Sequence, residues 1–247
     1  MAKKTRDLKI WFIDLIWIKF IGQKHFLKVN SQHQKINYCQ LIEQIILFLT
    51  ASMLLTISPG PDIVYVLVQS IANGKKAGII TTLGLVSGIM VHTTLVAFGV
   101  SAIIKESDNI FMSIKIFGAL YLFFLAYKVF RSGNSFSLSS EEVPINNNSK
   151  NRLFMRGFIM NVLNPKVTIF FLAFFPGFLW APEEDTVFQF YTLGLLFMLQ
   201  AFIIFGLVAL LAGNISGFLK NHPSSGVVLK WVQIVVFVGI GIFILIW

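Results

Sequence analysis

Charge is scarce in this chain. Only 13% of its 247 residues are Asp, Glu, Lys or Arg, where a soluble domain carries about 25%. None of the four occurs in 77–104, in 186–219 or in 231–247, stretches of 28, 34 and 17 residues. A helix crosses the hydrocarbon of a bilayer with about 20 apolar residues. The composition is 56% hydrophobic, and the mean hydropathy is +0.77. A soluble fold of this size could not hide so many apolar side chains, so the chain reads as an integral membrane protein built as one helical bundle. Short strands of alternating polarity are missing too, which argues against a β-barrel.

Other absences narrow the chemistry. Cys39 is the single cysteine, so neither a disulfide within the chain nor a paired-thiol redox carrier can form. The patterns H-E-x-x-H, G-x-x-x-x-G-K-[ST] and G-x-S-x-G do not occur, which removes the usual zinc site, phosphate loop and nucleophile elbow. His25, His33, His92 and His222 are scattered and predict no metal pocket. No cofactor is expected. The net charge of +9 does not point to nucleic acid, because residues 1–40 carry +6 of it. The remaining basic residues lie mostly in loops, where they set orientation in the membrane.

Residues 1–40 differ from the rest. Their apolar run Ile10–Gly22 contains Asp14 and Lys19 and is too short and too charged to be a secure span. No small-residue cleavage site follows it, so it fits a signal peptide badly. The expectation is a basic extension that is interfacial, disordered or outside the true start of translation. Residues 41–247 are expected to form a transporter domain of six segments, about 42–72, 77–104, 109–130, 153–180, 186–218 and 227–247.

Two of these segments are interrupted, the first at Ser58-Pro59-Gly60-Pro61-Asp62 and the fourth at Asn164-Pro165-Lys166. Proline removes a backbone donor and clashes with the preceding turn. Broken backbone survives at membrane depth only where protein or a wet cavity satisfies the freed groups. One break opens each half of the chain, which predicts an all-α bundle organised as a 3+3 inverted repeat with its site at the breaks. Basic residues in the loops after the first, third and fifth segments place those loops on the cytoplasmic side. Six crossings would then leave the basic N-terminal segment outside. Either the extension is not part of the mature protein, or the first broken run is re-entrant and five crossings remain.

The candidate chemistry sits at the breaks. Asp62 is a carboxylate in an apolar run, a placement that costs about 2.5–3.5 kcal/mol on insertion scales. Ser58 or Asp62 could cap the restarting helix, and Asp62 could also bind a substrate ammonium or carry a coupling proton. Gly60 allows close backbone approach and unusual dihedrals. A restarted helix offers free N–H groups to a carboxylate, and the unwound carbonyls before it attract an ammonium. That suits a small zwitterion such as an α-amino acid. In the second half, Asn161 and Asn164 are candidate ligands, and Asn164 is also a candidate cap. Lys166 either pairs with Asp62 or satisfies carbonyls. His92 is a second candidate for proton coupling, or it simply bonds a neighbouring helix. Lys115 is expected to snorkel. Gly84 and Gly88 let helices approach closely.

The motif Ser58-Pro59-Gly60-Pro61-Asp62 resembles the lysine exporter / homoserine-threonine resistance (LysE/RhtB) family. The similarity covers roughly 43–247 and includes Gly74, Gly78, Gly84, Gly88 and His92, then Gly118-Ala119-Leu120-Tyr121-Leu122. It continues through Phe154, Gly157, Asn161 and Asn164-Pro165-Lys166 to Pro176 and Phe178. Gly177 departs from the glutamine usual there, and the basic extension departs from relatives that begin near the first segment. The resemblance implies a multi-pass carrier of the inner membrane that expels amino acids, driven by protons or the membrane potential. Its partners would be an amino-acid substrate, a proton and the lipid bilayer, and a homo-oligomer is compatible with it. Two rival readings stand beside it. One is a carrier of the same architecture for a metal cation or other small solute, against which the scarcity of Cys, His and acids in the spans argues. The other is an intramembrane enzyme, for which no nucleophile–base pair is recognisable.

Overall fold

The structure, a computed structural model, describes residues 38–100, 108–132, 149–181, 185–222 and 225–246. The extension 1–37, the run Ile10–Gly22 within it, and His25 and His33 lie outside the described residues. The described residues are almost entirely helical. They form α1 (Tyr38–Ile57), α2 (Pro61–Asn73), α3 (Lys75–Leu95) and α4 (Asp108–Arg131), followed by α5 (Lys150–Val162). Then come α6 (Pro165–Phe178), α7 (Thr186–Leu210), α8 (Ala212–Asn221) and α9 (Ser225–Ile246). α3 widens into a π-helical turn at Val96–Val100. α6 starts as α-helix, passes through a π turn at Phe170–Phe174 and ends as a tight turn at Phe175–Phe178.

Four helices, α3 with its extension, α4, α7 and α9, are each long and apolar enough to cross a membrane. The pairs α1–α2 and α5–α6 also qualify as pairs, bent by 56° and 47° at their breaks. This is an all-α, polytopic membrane bundle. Large apolar side chains such as Phe117, Phe188 and Leu199 face outward, as lipid-facing surfaces require.

The segment boundaries are corrected in three places. α1 begins at Tyr38, before residue 41. The fourth segment begins at Lys150, so Arg152 and Arg156 are helical. The fifth segment does not run to 218. α7 ends at Leu210, the chain leaves helical geometry at Leu211 (φ −96°, ψ 10°), and α8 follows as a separate short helix. The single-span reading follows the absence of charge, which lasts to Lys220, and passes over Gly213, Asn214, Ser216 and Gly217 just beyond Leu211.

Packing fixes the breaks against each other. α3 lies on α5 and α7, and α4 lies on α9. The α3–α5 contact is backbone on backbone. A Cβ on Gly84 would strike the Phe154 carbonyl, and one on Gly157 would strike the Thr81 carbonyl. A Cβ on Gly88 would lie 2.8 Å from Asn161 Oδ1. Gly84 and Gly88 are therefore packing residues, as their spacing predicts. The turn between α2 and α3 is a single residue, Gly74, at φ 83° and ψ 165°, a region open in practice only to glycine. The core beside the breaks is aromatic. Phe170, Phe171, Phe174, Phe175 and Phe178 of α6 pack with Phe48, Phe190, Phe197 and Phe243 from α1, α7 and α9.

Candidate functional site

The two breaks share one construction. Pro61 opens α2 and Pro165 opens α6. Proline suits the first helical position, where its missing N–H would have no partner anyway. Pro59, which cannot donate, ends α1. Directly after each opening proline stands a charged residue, Asp62 in one half and Lys166 in the other. Both are buried, at 7% and 9% exposure.

The breaks meet. Asn161 Nδ2 donates to Asp62 Oδ2 at 3.2 Å, joining the end of α5 to the start of α2. Lys166 Nζ donates to the carbonyls of Leu55 at 2.7 Å and Ser58 at 2.9 Å, joining the start of α6 to the end of α1. Its ammonium also lies 5.5 Å from the centre of the Phe237 ring on α9. Asn164 Oδ1 accepts the Lys166 backbone N–H at 3.0 Å and so caps α6. Between the breaks is a cavity of about 30 Å³, lined among others by Ser58, Gly60, Asp62, Asn161, Asn164 and Lys166. Three buried polar atoms on these residues have no hydrogen-bond partner: Asp62 Oδ1, Asn161 Oδ1 and Ser58 Oγ.

Two open alternatives resolve, for Lys166 and His92, and two expectations change, for the cap of α2 and for Gly60. Lys166 makes no ion pair with Asp62; its donors go to the carbonyls of α1. The physical reason is dipolar: a cation is misplaced at the positive end of its own helix and is stabilised at the negative end of another. Neither Ser58 nor Asp62 caps α2, whose N-cap is Gly60 with no side-chain cap bond. Gly60 itself is extended, at φ −160° and ψ 176°, a conformation any residue adopts. A Cβ there would meet Lys166 Nζ at an ordinary 3.5 Å. His92 lies behind the cavity rather than in it. Its Nε2–H donates to the Asn161 carbonyl at 3.1 Å, and its ring packs against Phe171. Lys115 sits near the start of α4 with its ammonium beside the Phe111 ring. His222 is exposed at the end of α8.

Two further polar residues were not read from the sequence. Thr56 lines the cavity and accepts from Gln200 Nε2 of α7 at 3.0 Å. Gln200 is a buried amide in the middle of a long apolar run, which is a signal of its own. Phe237 gave no signal, because nothing in α9 marks one phenylalanine among its apolar neighbours.

An all-helical, multi-pass bundle of the inner membrane whose two broken spans converge on a buried polar cavity has the build of a translocator. The chain belongs to the LysE type translocator family, whose model matches residues 52–247. It is similar to the homoserine/homoserine lactone efflux protein of Salmonella typhimurium (strain LT2), 29% identical over 174 residues, which is 70% of this chain and 82% of the relative. The protein of the same description from Salmonella typhi is 30% identical over the same shares. The uncharacterized membrane protein YrhP of Bacillus subtilis (strain 168) is 31% identical over 144 residues, covering 56% of this chain and 69% of the relative. No solved structure matches the chain.

Proposed function

We propose that this chain exports a small amino acid or a close derivative across the inner membrane, with Ser58, Gly60, Asp62, Asn161, Asn164 and Lys166 around the bound solute. The observation that carries the reading is the convergence of the two breaks on one cavity holding a carboxylate, an ammonium and three unpartnered polar atoms. A zwitterion needs opposite charges and hydrogen-bonding groups a few atoms apart, and this cavity offers both. The relatives described as homoserine and homoserine lactone efflux proteins support a solute of that size and chemistry.

The cavity holds no such solute as it stands. Small-molecule sites measure about 300–1,000 Å³, whereas this one is about 30 Å³, enough for water. The structure is closed around its centre. Solute entry needs the α1–α2 and α5–α6 breaks to separate, and the bonds from Lys166 and Asn161 are the ones that must exchange. Asp62 is the proposed group for proton coupling. His92, locked on the Asn161 carbonyl, acts in this reading by positioning Asn161. The paired contacts of α3 with α7 and of α4 with α9 are those expected of an inverted 3+3 repeat, which supports that organisation.

The test is Asp62→Ala in a host sensitive to amino acids and toxic analogues. Growth and intracellular amino-acid levels report export, and membrane abundance of the variant is measured in parallel. The expected outcome is loss of export with normal insertion. Export at the level of the unaltered protein overturns the role of Asp62.

A further inference from the structure

The end of α1 is built as a seat for a cation. The last carbonyls of a helix carry its partial negative charge, and at a helix broken inside a membrane they are the groups that coordinate a coupling ion such as sodium in secondary carriers. Here Leu55 and Ser58 supply two such carbonyls, both on buried residues. Ser58 Oγ stands beside them without a partner. The Phe237 ring closes the position from α9 with its π system, which attracts cations. What fills the seat is Lys166 Nζ, at 2.7 and 2.9 Å from the two carbonyls. The lysine reaches it from the start of a different helix, and its stem passes Gly60, where a Cβ would lie 3.8 Å from Lys166 Cδ.

We propose that Lys166 is a tethered cation: in the closed state its ammonium occupies an ion seat formed by the Leu55 and Ser58 carbonyls and Phe237, so that no free alkali cation is bound there and the carrier works without sodium. The seat's preference is for a small, hydrogen-bonding or oxygen-seeking monovalent cation. Removing the tethered charge while keeping the carbonyls should therefore open the seat to one from solution. This bears on the coupling ion of the carrier proposed above. Its readout below needs no exported solute, so its failure and the failure of that reading are distinguishable.

The experiment is thermal unfolding of the purified full chain in detergent, at constant ionic strength. Choline chloride is replaced by sodium chloride, potassium chloride, methylammonium chloride or n-propylammonium chloride. The unaltered protein is expected to melt at the same temperature in all five. Lys166→Ala is expected to melt lower in choline and to recover by about 2–4 °C with at least one of the small cations, as a bound ligand requires. Lys166→Met keeps an apolar stem along Gly60 and removes only the charge. It is the second variant if the alanine protein does not fold, and is expected to show the same response to sodium or potassium. A merely structural lysine would give destabilisation without rescue. Indifference of the folded variants to every one of these cations overturns the proposal. So does a sodium-dependent rise in the unaltered protein.

Discussion

At the scale of single residues, the membrane makes each buried polar atom expensive, so partners matter more than identities. Gln200 shows this. Its amide nitrogen has Thr56 Oγ1 as partner, its oxygen has none, and Thr56 in turn donates to the Ser52 carbonyl. Thr56→Val strands the Gln200 amide altogether, and leaving a buried donor unmet costs about 1–3 kcal/mol. Thr56→Val with Gln200→Leu removes both ends and is expected to recover most of that loss. Thermal unfolding of the two single variants and the double in detergent checks it, and strict additivity of the single losses would show that the bond contributes nothing. The same logic explains what could be read from sequence alone. Asp62, Asn164 and Lys166 announce themselves because a charge or amide beside proline in an apolar run needs a reason. Their partners do not, because a backbone carbonyl such as that of Leu55 or a ring such as Phe237 has no distinguishing letter. Asp62 and Lys166 were legible as a potential pair. That Lys166 turns to the end of α1 instead follows from the direction of two helix dipoles in space.

At the scale of elements, glycine decides how close the helices come, and so where Asn161 sits. Gly84 and Gly157 hold α3 and α5 backbone to backbone. Gly84→Ala or Gly157→Ala must push the helices apart, at about 1–3 kcal/mol for overpacking, and must carry Asn161 away from Asp62. The expected result is a lower melting temperature together with impaired export. Gly213 in α8 meets nothing within 4 Å of an added Cβ, so Gly213→Ala should be neutral or slightly stabilising, by up to about 1 kcal/mol of helix propensity. Gly74→Ala also has open space yet should destabilise by about 1–3 kcal/mol, because its backbone conformation is strained for any L side chain. Equal melting temperatures for Gly84→Ala and Gly213→Ala would contradict the packing account. The number of apolar runs was readable, since each is long and its ends carry charge. The end of α7 was not: no charged residue appears before Lys220, so the run 186–218 reads as continuous, and the small and polar residues Gly213, Asn214, Ser216 and Gly217 after Leu211 are the weaker signal it passes over.

At the scale of the whole molecule, the geometry bears on the direction in which the chain crosses the membrane. α3 and α5 run side by side in the same direction, with Gly84 against Phe154 and Gly88 against Asn161. Their starts, with Lys75, Lys76, Lys150 and Arg152, therefore lie at the same end of the bundle. The start of α9 meets the end of α4, where Lys230 Nζ donates to the Ser132 carbonyl at 2.7 Å, beside Lys128 and Arg131. Basic clusters favour the cytoplasm. The first broken segment then decides between five and six crossings. A bend of 56° between α1 and α2 leaves both advancing in one direction, whereas a re-entrant hairpin reverses it. The prediction is one broken crossing, with the start of α1 at the outer face together with Asp185 at the start of α7. The check uses a Cys39→Ala background with single cysteines placed at Lys75, Arg152, Lys230, Glu43 and Asp185, probed with a membrane-impermeant maleimide on intact cells and on inverted vesicles. The first three are expected to react only in inverted vesicles and the last two only in intact cells. Reaction of Glu43→Cys from the same side as Lys75→Cys would make the α1–α2 break a hairpin, and the two breaks could then no longer be equivalent halves of one crossing pattern.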